Sequence, residues 1–302
     1  MSKRRERAIA LGFFDGLHRG HAVLLNAVKA RAEEYGCTPA VLTFDTPPAS
    51  LVQGAAVPMI TSAGDRVDMI RRLFGIDDVI ILHFDVEMMN MPWQEFAEIL
   101  LRELSAAYVI VGTDFRFGRA GEGTAEKLRD ECAKVGVGCD IIPEITEEGE
   151  KISSSSIRAL IAAGEIEQAN ALLGHPHTLM DTVRYGYKLG RTIGAPTINM
   201  TFPEGVLIPP FGVYATKVFI QGKEHPAVTN VGIRPTIGRD DQVTVESYIL
   251  DYRGDLYGLQ VRVEFHKFLR EEIMFSDIEE LKKQIQVDAA AARAYFSQES
   301  NV

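Results

Sequence analysis

Along its first half the chain alternates short continuous apolar runs with stretches whose apolar residues return every three or four positions. "AIALGFF" reads as a first strand. "HAVLLNAVKARAEEYG" reads as a helix, with Leu24, Leu25, Val28 and Ala32 along one side and Gly36 ending it. The alternation continues through "AVLTF", "DRVDMIRRLFG", "DVIILHF", "WQEFAEILLREL", "AYVIVG", "TAEKLRDECAKVG" and "CDIIPE". Strands that are apolar at successive positions are buried on both faces, so the pattern predicts an α/β, doubly wound parallel sheet. A helical tail, "SSIRALIAAGEIEQANALLG", follows.

After Gly174 the texture changes. "GVYATKVFI", "PAVTNVGI", "TVESYILDY" and "LQVRVEFHKFL" are β-rich runs, several of them alternating, separated by Gly, Pro or Asp turns. They predict a small antiparallel β-barrel. The end, "SDIEELKKQIQVDAAAARAYF", reads as a terminal helix with Ser276 as cap and Ile278, Leu281 and Ile285 as its apolar stripe. These shifts divide the chain into domains at 1–176 and 177–302.

The 302 residues carry a formal net charge of -10, which argues against bulk nucleic-acid binding but leaves room for a local phosphate site. Three cysteines, Cys37, Cys132 and Cys139, fit neither a disulfide framework nor a zinc site, and read as thiols in a reducing cytoplasm. The basic, then apolar N-terminus is too short and too soon interrupted by Asp15 for a signal peptide, and no apolar run reaches membrane-spanning length. Small molecules are the expected partners, with no nucleic acid, no membrane, and at most weak self-association.

Three places carry candidate chemistry. In "GFFDGLHRGH" the first strand runs through Gly12 and Phe13 into a turn with Asp15, Gly16 and Gly20, and His18 and His21 stand at the mouth of the first helix. A helix N-terminus at the carboxyl end of a parallel strand suits phosphate, and two imidazoles there can donate to phosphate oxygens. The plainer alternative is a pair of surface histidines capping a helix. Zinc is disfavoured because no third ligand is apparent nearby. "DFRFG" interleaves Asp114, Phe115, Arg116 and Phe117, which read equally as core aromatics with a surface charge. "GRTIGAPTIN" is a turn-rich loop in which Thr197 and Asn199 are hard oxygen donors suited to Mg²⁺ with nucleotide phosphates, and Arg191 can meet a phosphate. Glu246 shares a strand face with Tyr248 and Leu250, and by itself reads as a surface charge.

"GFFDGLHRGH" resembles the H-x-G-H signature of nucleotidylyltransferases. Together with "VGTDFRFGRAGEGT" and "ISSSSIRALIAAGEIEQANALLG", it is similar to the adenylyltransferase module of the bacterial bifunctional riboflavin kinase/FAD synthetase family. "GRTIGAPTIN", "VTNVGIRPTIG", "VESYILDYRGDLYG" and "FLREEIMFSDIEEL" resemble that family's kinase module, in family order. The resemblance implies phosphorylation of riboflavin by ATP to FMN, then adenylylation of FMN to FAD, with Mg²⁺ as cofactor. It implies that His18, Gly20 and His21 hold the ATP phosphates and stabilise the transition state, within a nucleotide site that includes Gly12, Phe13, Asp15 and Gly16. Ser154, Ser155 and Arg158 would grip phosphate, and Asp114–Phe117 would border flavin and nucleotide. In the second module it implies a nucleotide loop of Gly190, Arg191, Gly194, Pro196, Thr197 and Asn199, with Thr197 and Asn199 on the metal. Glu246 would be the general base on the riboflavin 5′-hydroxyl, and Arg270 would contact flavin or nucleotide.

The chain departs from the family pattern at four places. Thr46, Pro47 and Pro48 stand where Pro-His-Pro is usual, so a histidine is missing. Ser155 and Ser156 replace a Thr and a basic residue. Ala195 stands for Phe, and Asp181 for a Gly, where local looseness or a different packing partner is expected, with an altered affinity for nucleotide or flavin. The missing histidine raises one alternative, a riboflavin kinase carrying a weakened adenylyltransferase module. A second, a flavin- or nucleotide-binding regulator without turnover, is opposed by the intact His18, His21, Arg158, Thr197, Asn199 and Glu246.

Overall fold

The structure, a computed structural model, describes residues 6–147, 149–186, 194–234 and 242–299. The chain divides into two compact units, Met1–Ser154 and Ser155–Val302.

The first unit contains strands β1 (Arg7–Leu11), β2 (Thr38–Phe44), β3 (Asp78–Leu82), β4 (Ala106–Gly112), β5 (Arg116–Phe117), β6 (Gly123–Thr124), β7 (Gly138–Ile142), β8 (Thr146–Glu147) and β9 (Glu150–Lys151). Its helices are α1 (Arg19–Tyr35), α2 (Pro48–Gln53), α3 (Ala63–Phe74), α4 (Val86–Asn90), α5 (Trp93–Glu98) and α6 (Ala125–Lys134). Five strands form one parallel sheet in the order β3-β2-β1-β4-β7. Ile9 and Leu11 pack to one side with Val109, Phe96, Leu100 and Leu128, while Ala8 and Ala10 pack to the other with Leu25, Val28, Met69 and Ile70. Helices cover both faces, so the sheet is doubly wound, as the continuous apolar runs predict. The first strand is shorter than its sequence suggests. It ends at Leu11, and Phe13 and Phe14 belong to the turn that follows. Phe14, Gly16 and Leu17 all have left-handed backbone (φ 56, 75 and 47). Two of these are not glycine, a costly arrangement of the kind found where surrounding structure fixes a functional turn.

The second unit contains helices α7 (Ser154–Ala162) and α8 (Ile166–Leu173), with Ser154 on the boundary. It continues with strands β10 (His177–Thr182), β11 (Thr197–Met200), β12 (Gly212–Ile220), β13 (Lys223–Arg234), β14 (Gln242–Ile249) and β15 (Gln260–Arg270), and ends with α9 (Ile278–Glu299). The six strands form an antiparallel sheet in the order β10-β15-β12-β13-β14-β11. A bridge between Arg184, just past β10, and Asn199 of β11 joins the two edges, so the sheet curls into a barrel. Its interior holds Tyr214, Val231, Val245 and Phe265, and a buried hydroxyl chain from Thr216 through Thr229 to Ser247 with 2.7 Å steps. The outer face carries Val213, Ala215, Val228 and Leu250, which α9 covers with Ala289, Ala292 and Phe296.

The helical tail packs on the barrel: Asn170 of α8 donates to the Phe265 carbonyl at 2.8 Å and accepts from the His177 N–H at 2.7 Å, and the compact units part at 154/155. One sequence expectation changes here. Asp277, not Ser276, caps α9 by accepting from the Glu280 N–H at 2.9 Å, and Ile278 is exposed. Asp181 takes the different packing partner expected of it. Its carboxylate accepts from the Thr201 N–H at 2.9 Å and from Arg184 at 3.2 Å, which anchors the segment after β11.

His177 gives the second unit a pH dependence. It is buried against Phe265, and neither ring nitrogen has a hydrogen-bond partner. Burial, with a smaller contribution from His175, pushes its pKa from 6.5 down to about 4. An unfolded chain binds this proton first, so stability is complete above pH 6.5 and declines as pH falls from there towards 4. Between pH 7 and pH 5 the loss from this group is roughly 2 kcal/mol, at about 1.4 kcal/mol per pH unit. Urea unfolding followed by circular dichroism is expected to show this decline in the natural protein and a shallower one in His177→Leu. Equal declines in both would exclude His177 as the cause.

Candidate functional site

In the first unit the turn after β1 delivers the two histidines to the N-terminus of α1. His18 caps the helix, its Nδ1 accepting from the His21 N–H at 3.3 Å. The two rings stack with centroids 3.6 Å apart. Gly20 leaves room for this stack, because a Cβ there would lie 3.1 Å from the His18 ring, a tight contact. The Nδ1 atom of His21 is buried without a partner. Burial, His18 and Arg66 together hold the His21 pKa well below its usual value, so the ring is neutral at pH 7. The geometry thus joins a capping role to a donor role. It presents a helix N-terminus with its positive dipole end, and the neutral His21 ring beside His18, at one strand end.

Asp15 braces this turn. Its buried carboxylate accepts from the Ile60 N–H at 2.8 Å and the Thr61 N–H at 3.1 Å, while its carbonyl accepts from the Ser154 hydroxyl at 3.0 Å. Gly16 donates to the Thr61 hydroxyl at 3.2 Å. Gly12 fits against the Phe14 ring, which a Cβ would approach to 3.0 Å. Ser155 accepts from Arg158 at 3.3 Å on the first turn of α7.

A cavity of about 660 Å³ lies in the same unit, lined by Phe44, Phe84, Phe96, Phe115, Arg116 and Phe117 among others. The aromatics of "DFRFG" thus wall an apolar cavity large enough for a fused-ring ligand, with Arg116 at its surface. Asp114 does not join that wall and pairs with Lys151 at 2.9 Å. The position that lacks the family histidine is also occupied differently. Asp45, just before Thr46, binds His83 from the end of β3 at 2.6 Å and the Phe84 N–H at 3.1 Å. The carboxylate hydrogen bond raises the His83 pKa.

In the second unit, β11 and β14 set Asn199 directly opposite Glu246, and β13 sets Asn230 on the other side of Glu246. Val245, Ser247 and Ile249 point into the barrel, so alternation sends Glu246 and Tyr248 to the outer face. There a cavity of about 220 Å³ opens between the barrel and α9, lined by Thr197, Glu246, Arg270, Asn230, Ala195 and Asp288 among others. Ala195 contributes a small wall where a Phe would intrude. Arg270 is held by the buried Asp288 of α9 at 3.0 and 2.7 Å, so its charge is largely committed to that pair. The exposed Glu272 accepts from Asn230 at 3.0 Å and lines the cavity. A second cavity of about 280 Å³, lined by Pro196, Thr197, Tyr252, Arg253, Asp255 and Tyr257 among others, shares Thr197 with the first.

Asn199 is buried under Gly186, whose missing Cβ would lie 2.5 Å from the Asn199 amide nitrogen. Gly194 takes a left-handed φ of 78 just before the loop enters β11. Gly190 and Arg191 lie outside the described residues. Thr197 and Asn199 offer a hydroxyl and a carboxamide, and among the described residues no cluster of three acidic, His or Cys side chains forms a metal cage. That donor set fits a Mg²⁺ carried in on nucleotide phosphates, which keeps few protein ligands.

Sequence reasoning missed Arg66, His83, Asn230, Glu272 and Asp288. Of these only Asp288 left a trace, a carboxylate on the apolar stripe of α9 begun by Leu281 and Ile285. Arg66 in "DRVDMIRRLFG" looks like any helix cation.

Comparison with known proteins adds the following. Residues 1–156 match the FAD synthetase family and residues 173–296 match the riboflavin kinase family. The bifunctional riboflavin kinase/FMN adenylyltransferase of Bacillus subtilis is 34% identical over 98% of this chain and 94% of its own length. That of Listeria monocytogenes is 36% identical over 96% and 93%, and that of Escherichia coli K12 34% identical over 95% and 92%. A Streptococcus pneumoniae crystal structure described as a macrolide-efflux protein superposes with a TM-score of 0.81 at 28% identity, over 95% of this chain and 94% of that one. Among the described residues no helix is long and apolar enough to cross a membrane.

Proposed function

The chain belongs to the bifunctional riboflavin kinase/FMN adenylyltransferase family, and we propose how its two sites divide the work. The enzyme phosphorylates riboflavin with ATP to give FMN, and transfers AMP from ATP to FMN to give FAD and pyrophosphate. In this reading 177–302 form the kinase module. The adenylyltransferase module runs over 1–176, because α7 carries the serines and Arg158 of its second signature.

For the kinase step, Glu246 takes the proton from the riboflavin 5′-hydroxyl as that oxygen attacks the γ-phosphate. The cavity under α9 holds the flavin, with Arg270 held ready by Asp288. The cavity beside Pro196 and Tyr252 holds the nucleotide. Thr197, which lines both, would mark where the two substrates meet, and this shared residue, in the wall of the same cavity as Glu246, is the observation that carries the assignment. Thr197 and Asn199 would hold Mg²⁺, which supplies charge neutralisation when bound.

For adenylyl transfer, the α1 N-terminus with His18 and His21 binds the ATP phosphates, and Ser154, Ser155 and Arg158 act on phosphate from α7. The two imidazoles donate to oxygens on which charge grows, so the site stabilises the transition state by placement. The aromatic cavity of Phe115 and Phe117 takes the FMN ring. Three free thiols suit a cytoplasmic enzyme.

The Asp45–His83 pair bears on the kinase-only alternative, since an imidazole still stands at that strand end. Chromatography of two mixtures separates the readings. Protein with riboflavin, ATP and Mg²⁺ is expected to give FMN and FAD, and protein with FMN, ATP and Mg²⁺ to give FAD. FMN from the first and nothing from the second would identify a kinase with a silent partner module.

A further inference from the structure

The residues assigned so far leave one buried charge unexplained. Arg66 of α3 is fully buried at the carboxyl ends of β1 and β2. Its Nη1 donates to the Phe13 carbonyl at 2.7 Å, the Thr43 hydroxyl at 2.8 Å and the Phe44 carbonyl at 2.9 Å. Its Nη2 lies 3.9 Å from the Met59 sulfur, and its guanidinium lies 4.2 Å over the Phe13 ring. All of these partners are neutral, and Nε has none. The carboxylates whose charge reaches it are Asp15 and Asp45, and neither lies within ion-pair distance. Asp15 is taken up by the 60–61 backbone, and Asp45 by His83 and the Phe84 N–H.

A guanidinium buried without a counter-ion is costly, and a neutral donor would satisfy the same carbonyls for less. The cost has a purpose if the counter-ion arrives with the substrate. We propose that Arg66 is a positioning residue for adenylyl transfer. It fixes the Phe13 carbonyl at the start of the His18–His21 turn and holds a standing positive charge whose partner is the polyphosphate of the incoming nucleotide. This rests on the reading that the turn binds ATP phosphates.

The charge also acts on His21. The charged and titratable groups that act on that ring are His18, stacked on it, and Arg66 from α3, which in turn feels Asp15 and Asp45. Arg66 and His18 both oppose its protonation, in addition to burial. Arg66 thereby helps keep His21 a neutral donor until the triphosphate is bound.

The test uses the full chain, with FAD formation from FMN and ATP–Mg²⁺ followed across pH 5–8 in Arg66→Gln and Arg66→Lys. FMN formation in the same preparations is the internal reference. Arg66→Gln, which keeps donors and loses the standing charge opposite the polyphosphate, is expected to lose about a hundredfold in FAD formation, the scale of one lost electrostatic contribution. Its KM for ATP should rise and the acidic limb of kcat/KM should move to higher pH. Arg66→Lys should keep that limb in place and retain FAD formation within about tenfold of the natural enzyme. FAD formation within twofold of natural in Arg66→Gln, or a large loss with the acidic limb unmoved, would overturn the proposal, the second result marking a purely structural brace. Should Arg66→Gln fail to fold by circular dichroism, Arg66→Lys decides alone: a loss beyond a hundredfold overturns it. Failure of the underlying site reading shows elsewhere, as an unchanged FAD rate in His21→Ala.

Discussion

Glu246→Gln is expected to lower FMN formation about a thousandfold while FAD formation from supplied FMN stays at the natural rate. The size follows from the general-base role, which contributes ~10²–10⁴ in rate, or about 4 kcal/mol of barrier at 1.36 kcal/mol per decade. Glutamine preserves the shape and the hydrogen-bonding reach of the side chain but cannot accept a proton. The cavity under α9, the Arg270–Asp288 pair and the pairing of β11 with β14 are untouched by this change. Riboflavin binding should therefore persist, and the loss should fall on kcat rather than on KM. Stopped assays of both half-reactions on one preparation measure this. A parallel fall in both activities would contradict the separation of the sites, and a fall confined to KM would move Glu246 from base to binding residue.

His21→Ala is expected to do the reverse, lowering FAD formation from FMN by about two to three orders of magnitude with FMN formation unchanged. Removal of one pre-placed donor from a site of developing charge costs this much in comparable electrostatic sites. The neighbourhood argues for an effect on turnover rather than on folding. His21 has no hydrogen bond at Nδ1, and its main contacts are the stacked His18 ring and the edge of Phe14. The α1 cap uses the His21 backbone N–H, which alanine retains. An FAD rate within a fewfold of natural would remove the turn from the mechanism.

The sequence makes the sheets readable for simple reasons. The strands of the first unit are buried on both faces, so "AVLTF" and "AYVIVG" are apolar without a break, and β2 and β4 lie where those runs lie. The barrel strands alternate, which groups Glu246 with Tyr248 on one face of its strand, and the structure makes that the outer face. What escapes is decided by contacts distant along the chain. Nothing local tells that Phe13 and Phe14 leave the strand, because their turn is set by Arg66 and Thr61 from α3 and the segment before it. Nothing local tells that α7 and α8 group with the barrel, since Asn170 reaches β15 across 95 positions.

The candidate site divides in the same way. His18, Gly20, His21, Thr197 and Asn199 form short motifs whose spacing carries their chemistry. Arg66, Asn230, Glu272 and Asp288 act from other elements, as brace, neighbour or counter-ion, and ordinary residue types in ordinary helices or strands give no hint of that. Asp181 shows the converse case. A departure from the family pattern that suggests looseness or a different packing partner is, in place, an acceptor for Thr201 and Arg184.

The central claim is that two separable sites on this chain act in sequence through free FMN, and the most direct test mixes the two disabled variants. Glu246→Gln and His21→Ala are each incubated alone, then together, with riboflavin, ATP and Mg²⁺, and FAD is quantified by chromatography. The account predicts negligible FAD from either variant alone, FMN accumulating only with His21→Ala, and FAD restored in the mixture. A mixture that makes no more FAD than its better component would contradict it.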